Sequence, residues 1–238
     1  MNARRPVQSV CGLSVGIMAA PLDRLGQAAS QIASWGGMVH FDVMDGVFVP
    51  NLTAGSEFVA AVADGNFCDV HLMVERPQAH IAAFARAGAD IITVHAEASG
   101  AAEALRQVRE QAALLGRPIL AGLAVMPGTA LAQLQPLLAL APDLVLVLAL
   151  DPRDGKPADI GKACERLTAL RATIKPGTIL AMDGGVTVAT IDQVSATAPD
   201  IIVSGSAIFK AADPGQAFRQ MADVWAAGRI LPAGVTHV

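Results

Sequence analysis

Short runs of Val, Ile and Leu recur along the chain, each followed by a longer stretch in which apolar residues return every three or four positions. The first pattern is that of a strand buried on both faces, the second that of a helix with one apolar stripe. The spacing predicts strands over 13–18, 38–44, 67–73, 91–95, 119–125, 144–150, 179–182 and 201–203. It predicts helices over 22–35, 77–87, 101–115, 160–174 and 214–227. Strands and helices that alternate in this way form a parallel sheet with crossover helices. Eight such units in 238 residues match a (β/α)8 TIM barrel, whose usual length is about 250 residues. An open doubly wound sheet is the competing α/β architecture. It seldom holds eight regular units, and no Gly-x-Gly-x-x-Gly follows the first strand. No linker, low-complexity tract or charge block divides the chain, so one barrel domain is expected over 1–238, with 228–238 as a C-terminal tail.

Composition narrows the class of function. With 53% hydrophobic and 16% charged residues, the chain is far too apolar for a disordered protein. Its 17 Lys+Arg against 21 Asp+Glu give no footprint for nucleic acid or an anionic membrane. The most apolar stretch, 131–150, is broken by Gln133, Gln135, Pro136, Pro142 and Asp143, so it cannot span a bilayer. Cys11, Cys68 and Cys164 are scattered and odd in number, as suits reduced thiols in the cytoplasm. Arg4 and Arg5 ahead of an apolar stretch ending near Ala19 and Ala20 imitate an export signal. Gln8, Ser9 and Ser14 dilute it, and the expectation is a first buried strand in a cytoplasmic protein.

In a TIM barrel, chemistry sits where strands end and their following loops begin. On the second strand His40, Asp42 and Met44 share one face, because side chains alternate with a period of two. The third strand places Asp69, His71 and Met73 on one face, and the seventh runs into Asp183-Gly184-Gly185. Polar groups aimed into a barrel are costly unless paired or bound to a metal. His40, Asp42, His71 and Asp183 make a two-histidine, two-carboxylate set that suits a divalent ion. Zinc comes first, and ferrous iron, manganese or cobalt are admitted by the same mixed donors. The alternative is a pair of hydrogen-bonded core histidines and aspartates that form turns. After the seventh and eighth strands, Gly184-Gly185 and Gly205-Ser206 occupy positions where many barrels hold phosphate with backbone N–H groups.

At these residues the sequence resembles the ribulose-phosphate 3-epimerase family. The segment from His40-Phe41-Asp42-Val43-Met44-Asp45-Gly46 through Pro50-Asn51-Leu52-Thr53 carries most of the likeness. Asp69-Val70-His71-Leu72-Met73, the stretch from Gly88-Ala89-Asp90 to His95-Ala96-Glu97, Asp183-Gly184-Gly185 and Gly205-Ser206-Ala207 follow in order. The resemblance implies a metal-dependent epimerase that inverts C3 of a ketose phosphate, such as D-ribulose 5-phosphate/D-xylulose 5-phosphate or a related sugar phosphate. It implies that His40, Asp42, His71 and Asp183 hold the ion and that Asp42 and Asp183 are acid and base through a metal-stabilised enediolate. It also implies that Met44 and Met73 line the substrate site, and that the protein is a homo-oligomer.

The match fails in places. The family's first-strand serines are replaced by Gly16 and Ala19, the asparagine after strand five by Met126, and a methionine on strand six by Leu148. The loop after strand six reads Asp151-Pro152-Arg153-Asp154-Gly155-Lys156-Pro157 in place of a glycine-rich cover. These changes predict a substrate other than ribulose 5-phosphate or poor turnover on it, the alternative being harmless drift of a loop; Arg153 or Lys156 is either a replacement phosphate contact or a solvated loop residue. The competing functions are a sugar-phosphate-binding barrel that has lost catalysis and a related phosphate-binding lyase or decarboxylase. The latter lacks its Asp-x-Lys-x-x-Asp signature, since Asp42 is followed by Val43-Met44-Asp45. His95, at the end of the fourth strand, is placed at the pocket border or in the core.

Overall fold

Eight short aliphatic strands pair in chain order and close on themselves: β1 (Gly12–Gly16), β2 (Met38–Met44), β3 (Cys68–Met73), β4 (Ile91–His95), β5 (Leu120–Val125), β6 (Leu144–Leu148), β7 (Ile179–Asp183) and β8 (Ile201–Ser204). Every neighbouring pair is parallel, β8 returning to β1. The structure is a computed structural model and describes residues 10–229. The Arg4–Arg5 feature and residues 230–238 of the tail expected over 228–238 lie outside the described residues. Gly228 instead closes the last helix and Arg229 binds the Pro199 carbonyl and Asp200, so these two belong to the barrel. Around the barrel lie α1 (Leu25–Trp35), α2 (Ser56–Val62), α3 (Ile81–Ala87), α4 (Ala101–Leu115), α5 (Gln135–Leu138), α6 (Ile160–Arg171), α7 (Ile191–Ser195), α8 (Ser206–Phe209) and α9 (Pro214–Gly228). This is the TIM barrel that the alternating pattern predicts.

The outer faces of the strands and the inner faces of the helices form one apolar layer. Val15, Phe41, Val70, Ile92, Leu123, Val147 and Ile202 pack there with Ile32, Ile81, Leu105, Leu167 and Phe218. Burying each such side chain is worth about 1.5–3 kcal/mol relative to exposure. The helices stop where the sequence provides for it. Asp159 and Asp213 accept the N–H groups of Lys162 and Gln216 at the starts of α6 and α9. At the C-terminus of α1, Gly36 takes φ 85°, a left-handed turn that glycine enters without a Cβ penalty.

The barrel interior is divided by chemistry. A second apolar cluster of Met38, Ile91, Leu120, Ala124, Leu144, Leu146, Leu148, Ala181, Ile201 and Val203 fills its floor and the β5–β8 side. On β1–β4 the buried residues instead include Ser14, His40, Asp69, His71, Thr93 and His95. Several boundaries differ from the sequence expectation. The strand over 144–150 ends at Leu148, the helix over 160–174 ends at Arg171, and the helix over 22–35 opens as a 3-10 turn, Leu22–Arg24. The predicted first strand ends early at Gly16, where Ile17–Ala19 turn as a 3-10 helix. The predicted helix over 77–87 breaks at His80 into a 3-10 turn, Pro77–Ala79, followed by α3.

Candidate active site

Parallel register sets the site at the C-terminal ends of the strands. Asp42 stands opposite His71, His40 opposite Asp69, and Met44 opposite Met73 across β2 and β3. Leu148 stands opposite Asp183 across β6 and β7. Local hydrogen bonds lock the end of β2. The Thr53 hydroxyl donates to the Asp42 carbonyl and accepts from the Met44 N–H, while the Asp45 carboxylate accepts the N–H groups of Val47, Phe48 and Glu75. Asp45 thereby ties the end of β2 to the end of β3.

His40, Asp42, His71 and Asp183 converge so that one ligand atom of each lies within 4.8 Å of all the others. His40 Nε2 lies 3.2 Å from Asp42 Oδ1 and 3.8 Å from Asp183 Oδ2. His71 Nδ1 lies 3.1 Å from Asp42 Oδ1 and 3.4 Å from Asp183 Oδ2. The other ring nitrogens are occupied. His40 Nδ1 is 2.7 Å from Asp69 Oδ2, which also accepts the Ser14 hydroxyl at 2.8 Å. His71 Nε2 is 2.9 Å from His95 Nε2, and His95 Nδ1 is 3.1 Å from Glu97 Oε2.

This arrangement fits a cation. A neutral His40 that donates from Nδ1 to Asp69 presents a lone pair at Nε2, aimed at two carboxylates. Such a convergence of acceptors is stable only with positive charge between them, supplied either by protons on the rings or by a metal. Without a metal the rings take the protons. Burial pushes both histidines down, but Asp69 and then Asp42 hold His40 well above its ordinary value. Hydrogen bonds to Asp183 and Asp42 hold His71 above its own. Burial would raise Asp42, yet the charge and hydrogen bonds of His40, then those of His71, keep its carboxyl well below the usual range. Two nitrogens and two carboxylate oxygens are a donor set for zinc or a similar divalent ion.

Above this cluster opens a cavity of about 240 Å³. Asp42, Met44, Met73, Asp183, Gly184, Gly185, Gly205 and Ser206 all line it, so every site residue predicted from sequence meets in one place except His40 and His71, which are fully buried beside it. Asp183 Oδ1 accepts the N–H of Gly184, and Gly185 takes φ 71° with Ala158 packed where a Cβ would stand. Three of the altered positions, Gly16, Ala19 and Leu148, line the same cavity, and Met126 does not. Of the two readings of Arg153 and Lys156, phosphate contacts or loop residues, the structure has both bound within their own loop. Arg153 forks onto Asp151 at 2.8 and 2.6 Å, Lys156 pairs with Asp154 at 3.0 Å, and neither lines the cavity. A larger cavity, about 500 Å³, lies at the opposite end of the barrel among Asp143, Lys175, Asp200 and Arg229, and contains none of the candidate residues.

Sequence reasoning placed His95 only loosely and gave no role to Ser14, Glu97 or Thr129. The parity of Asp69 with His71 was visible, but Ser14 and His95 reach the cluster from other strands, so no local spacing announces them.

Fold and site together define a TIM-barrel enzyme with a buried histidine–carboxylate centre below a glycine-rimmed mouth. The model of the ribulose-phosphate 3 epimerase family matches residues 12–209. Ribulose-phosphate 3-epimerase of Mycobacterium leprae is 36% identical over 216 residues, covering 86% of this chain and 91% of that protein. The enzyme of Treponema pallidum is 35% identical, covering 83% and 90%. The chloroplastic ribulose-5-phosphate-3-epimerase of Arabidopsis thaliana is 32% identical, covering 87% and 74%. Among solved structures, KGPDC from Streptococcus mutans in complex with D-R5P superposes with a TM-score of 0.75 at 15% identity, covering 92% of this chain and 98% of that one. The chain belongs to the ribulose-phosphate 3-epimerase family and is an epimerase acting on carbohydrates.

Proposed function

We propose that the protein inverts C3 of a ketose phosphate by moving protons between Asp42 and Asp183. The carrying observation is that these two carboxylates, from β2 and β7, both line one cavity while both flank the same buried histidine pair. Inversion requires a proton to leave one face of a carbon and another to arrive at the opposite face. One aspartate begins each turnover ionised and the other protonated, so the two act as a coupled pair whose roles exchange with the direction of reaction. His40 and His71, with the two aspartates, would hold a divalent ion, which supplies Lewis-acid stabilisation to the developing enediolate. Met44, Met73 and Leu148 keep water from the reacting carbon. Backbone N–H groups around Gly184, Gly185 and Gly205, with the Ser206 hydroxyl, receive the phosphate.

The β1 wall favours a substrate other than ribulose 5-phosphate. Gly16 and Ala19 offer no hydroxyl to the cavity, in contrast with the serines implied by the family pattern. The test is proton NMR in deuterated water with tetrulose, pentulose and hexulose phosphates and the metal-loaded protein. Deuterium entering C3 with inversion is the expected result. Silence across the panel with retained binding would favour a barrel that binds sugar phosphate without turning it over. Asp183→Asn should stop exchange in at least one direction while substrate still binds, and full activity in that variant would sink the two-aspartate scheme.

A further inference from the structure

We infer that Glu97 and His95 are positioning residues that fix which nitrogen of His71 faces the candidate metal centre. The inference rests on the reading of that centre given above. It follows from counting donors along a chain of hydrogen bonds that starts outside the site. Glu97 Oε1 already accepts the Met126 N–H and the Thr129 hydroxyl, so the carboxylate is anchored as an acceptor at the head of β5's following loop. Its Oε2 lies 3.1 Å from His95 Nδ1, which must therefore carry the proton. A neutral His95 then presents an unprotonated Nε2. That atom lies 2.9 Å from His71 Nε2, and only His71 can donate there. With that proton committed to Nε2, the nitrogen of His71 left to take an ion is Nδ1, which faces Asp42 and Asp183.

The environment agrees at both ends. Burial would raise Glu97, but hydrogen bonds from His95, Thr129 and Met126 bring it to about 2, so it is an anion at neutral pH. His95 is fully buried, where a charged ring is costly, and its Nδ1 proton is already placed on Glu97, so the neutral ring is the favoured one. The ring of His95 also stacks on that of His71, centroids 5.0 Å apart and planes 26° from parallel, so the contact fixes ring orientation as well as tautomer. Phe48 closes the other side of His95 at 5.0 Å. His40 is oriented independently, by Asp69 through the opposite ring nitrogen. The two histidines therefore offer different atoms, Nε2 of His40 and Nδ1 of His71, and only the second depends on Glu97.

The experiment compares wild type, Glu97→Gln, His95→Gln and His95→Leu as full chains. Zinc affinity is measured by competition with a chromophoric chelator, metal-free melting temperature is the folding control, and long-range ¹H–¹⁵N spectra of the imidazoles report the tautomer of His71. Wild type loaded with zinc should show His71 protonated at Nε2 and metallated at Nδ1. Loss of such an outer partner typically weakens metal binding 10–100-fold. Glu97→Gln and His95→Leu should lie in that range, and His95→Gln, which can still accept from His71, should recover part of the loss. Glu97 is partly exposed and its variant serves if the buried His95 variants do not fold. Wild-type zinc affinity in a folded Glu97→Gln, or His71 metallated through Nε2, would overturn the positioning role. A wild type that binds no divalent ion would instead overturn the metal reading on which the inference stands.

Discussion

At position 16 two backbones meet. A Cβ on Gly16 would come within 3.2 Å of the Gly205 Cα, and a Cβ on Gly205 within 3.0 Å of the Gly16 carbonyl oxygen. The serine implied at this place by the family pattern therefore fits only if β1 and the loop after β8 part by a few tenths of an ångström. Gly16→Ser should cost about 1–3 kcal/mol of stability through overpacking, read as a lowered melting temperature. It should also leave exchange on ribulose 5-phosphate no faster than in wild type. A stable Gly16→Ser with raised activity on that substrate would show that the wall adapts and that Gly16 is drift. The loss of the serine was legible in the sequence, but its cause was not. Gly205 stands at the far end of the chain, and only closure of the barrel brings it to Gly16. His40, Asp42 and His71 were legible for the opposite reason, since adjacent strands and a period of two place them together without knowledge of the rest.

At the scale of elements, Asp200 fastens the start of β8 to its surroundings. Its carboxylate accepts the Leu180 N–H of β7 and pairs with Arg171 of α6 and Arg229 just after α9. Burial would raise its pKa, but the Leu180 N–H and then Arg171 and Arg229 bring it below the ordinary 3.8. A carboxyl lowered in the native state contributes stability that is fully present above its unfolded value and lost as pH falls through the native one. Asp200→Asn should therefore destabilise by about 1–2 kcal/mol at pH 7, allowing for partial exposure of the arginine pairs. Against wild type, the difference in melting temperature should shrink once pH drops below about 4. A difference that persists unchanged at pH 3 would assign the effect to packing rather than to charge. The strands joined here were read from their apolar runs, with errors of only a few residues. Short helices such as α5 and α7 gave less signal, because four or five residues complete barely one turn of the period that identifies a helix.

For the whole molecule, the division of the barrel interior matters most. The apolar β5–β8 side and floor pack as a core, whereas the β1–β4 side carries a connected polar set from Ser14 and Asp69 through His40 and His71 to His95 and Glu97. Alternating hydrophobicity predicted the barrel because most strand positions obey it, and the exceptions on β2, β3 and β7 marked the site. The extent of the polar set stayed hidden, since the links from Ser14 to Asp69, Asp69 to His40, Asp42 to His71 and His71 to His95 cross between strands. A barrel built in this way has convergent acceptors whose repulsion must be neutralised, and a ligand that binds only the native arrangement stabilises it by mass action. Zinc at about a thousand times its dissociation constant should add about 4 kcal/mol, which for a chain of this size raises the melting temperature by on the order of 10 °C. Chelator should reverse the gain, and His40→Ala with His71→Ala should remove it. The two histidines must lose ring protons to bind metal, so the gain should also be smaller at pH 5.5 than at pH 7.5. An equal zinc-induced shift in the double variant would place the ion elsewhere in the molecule.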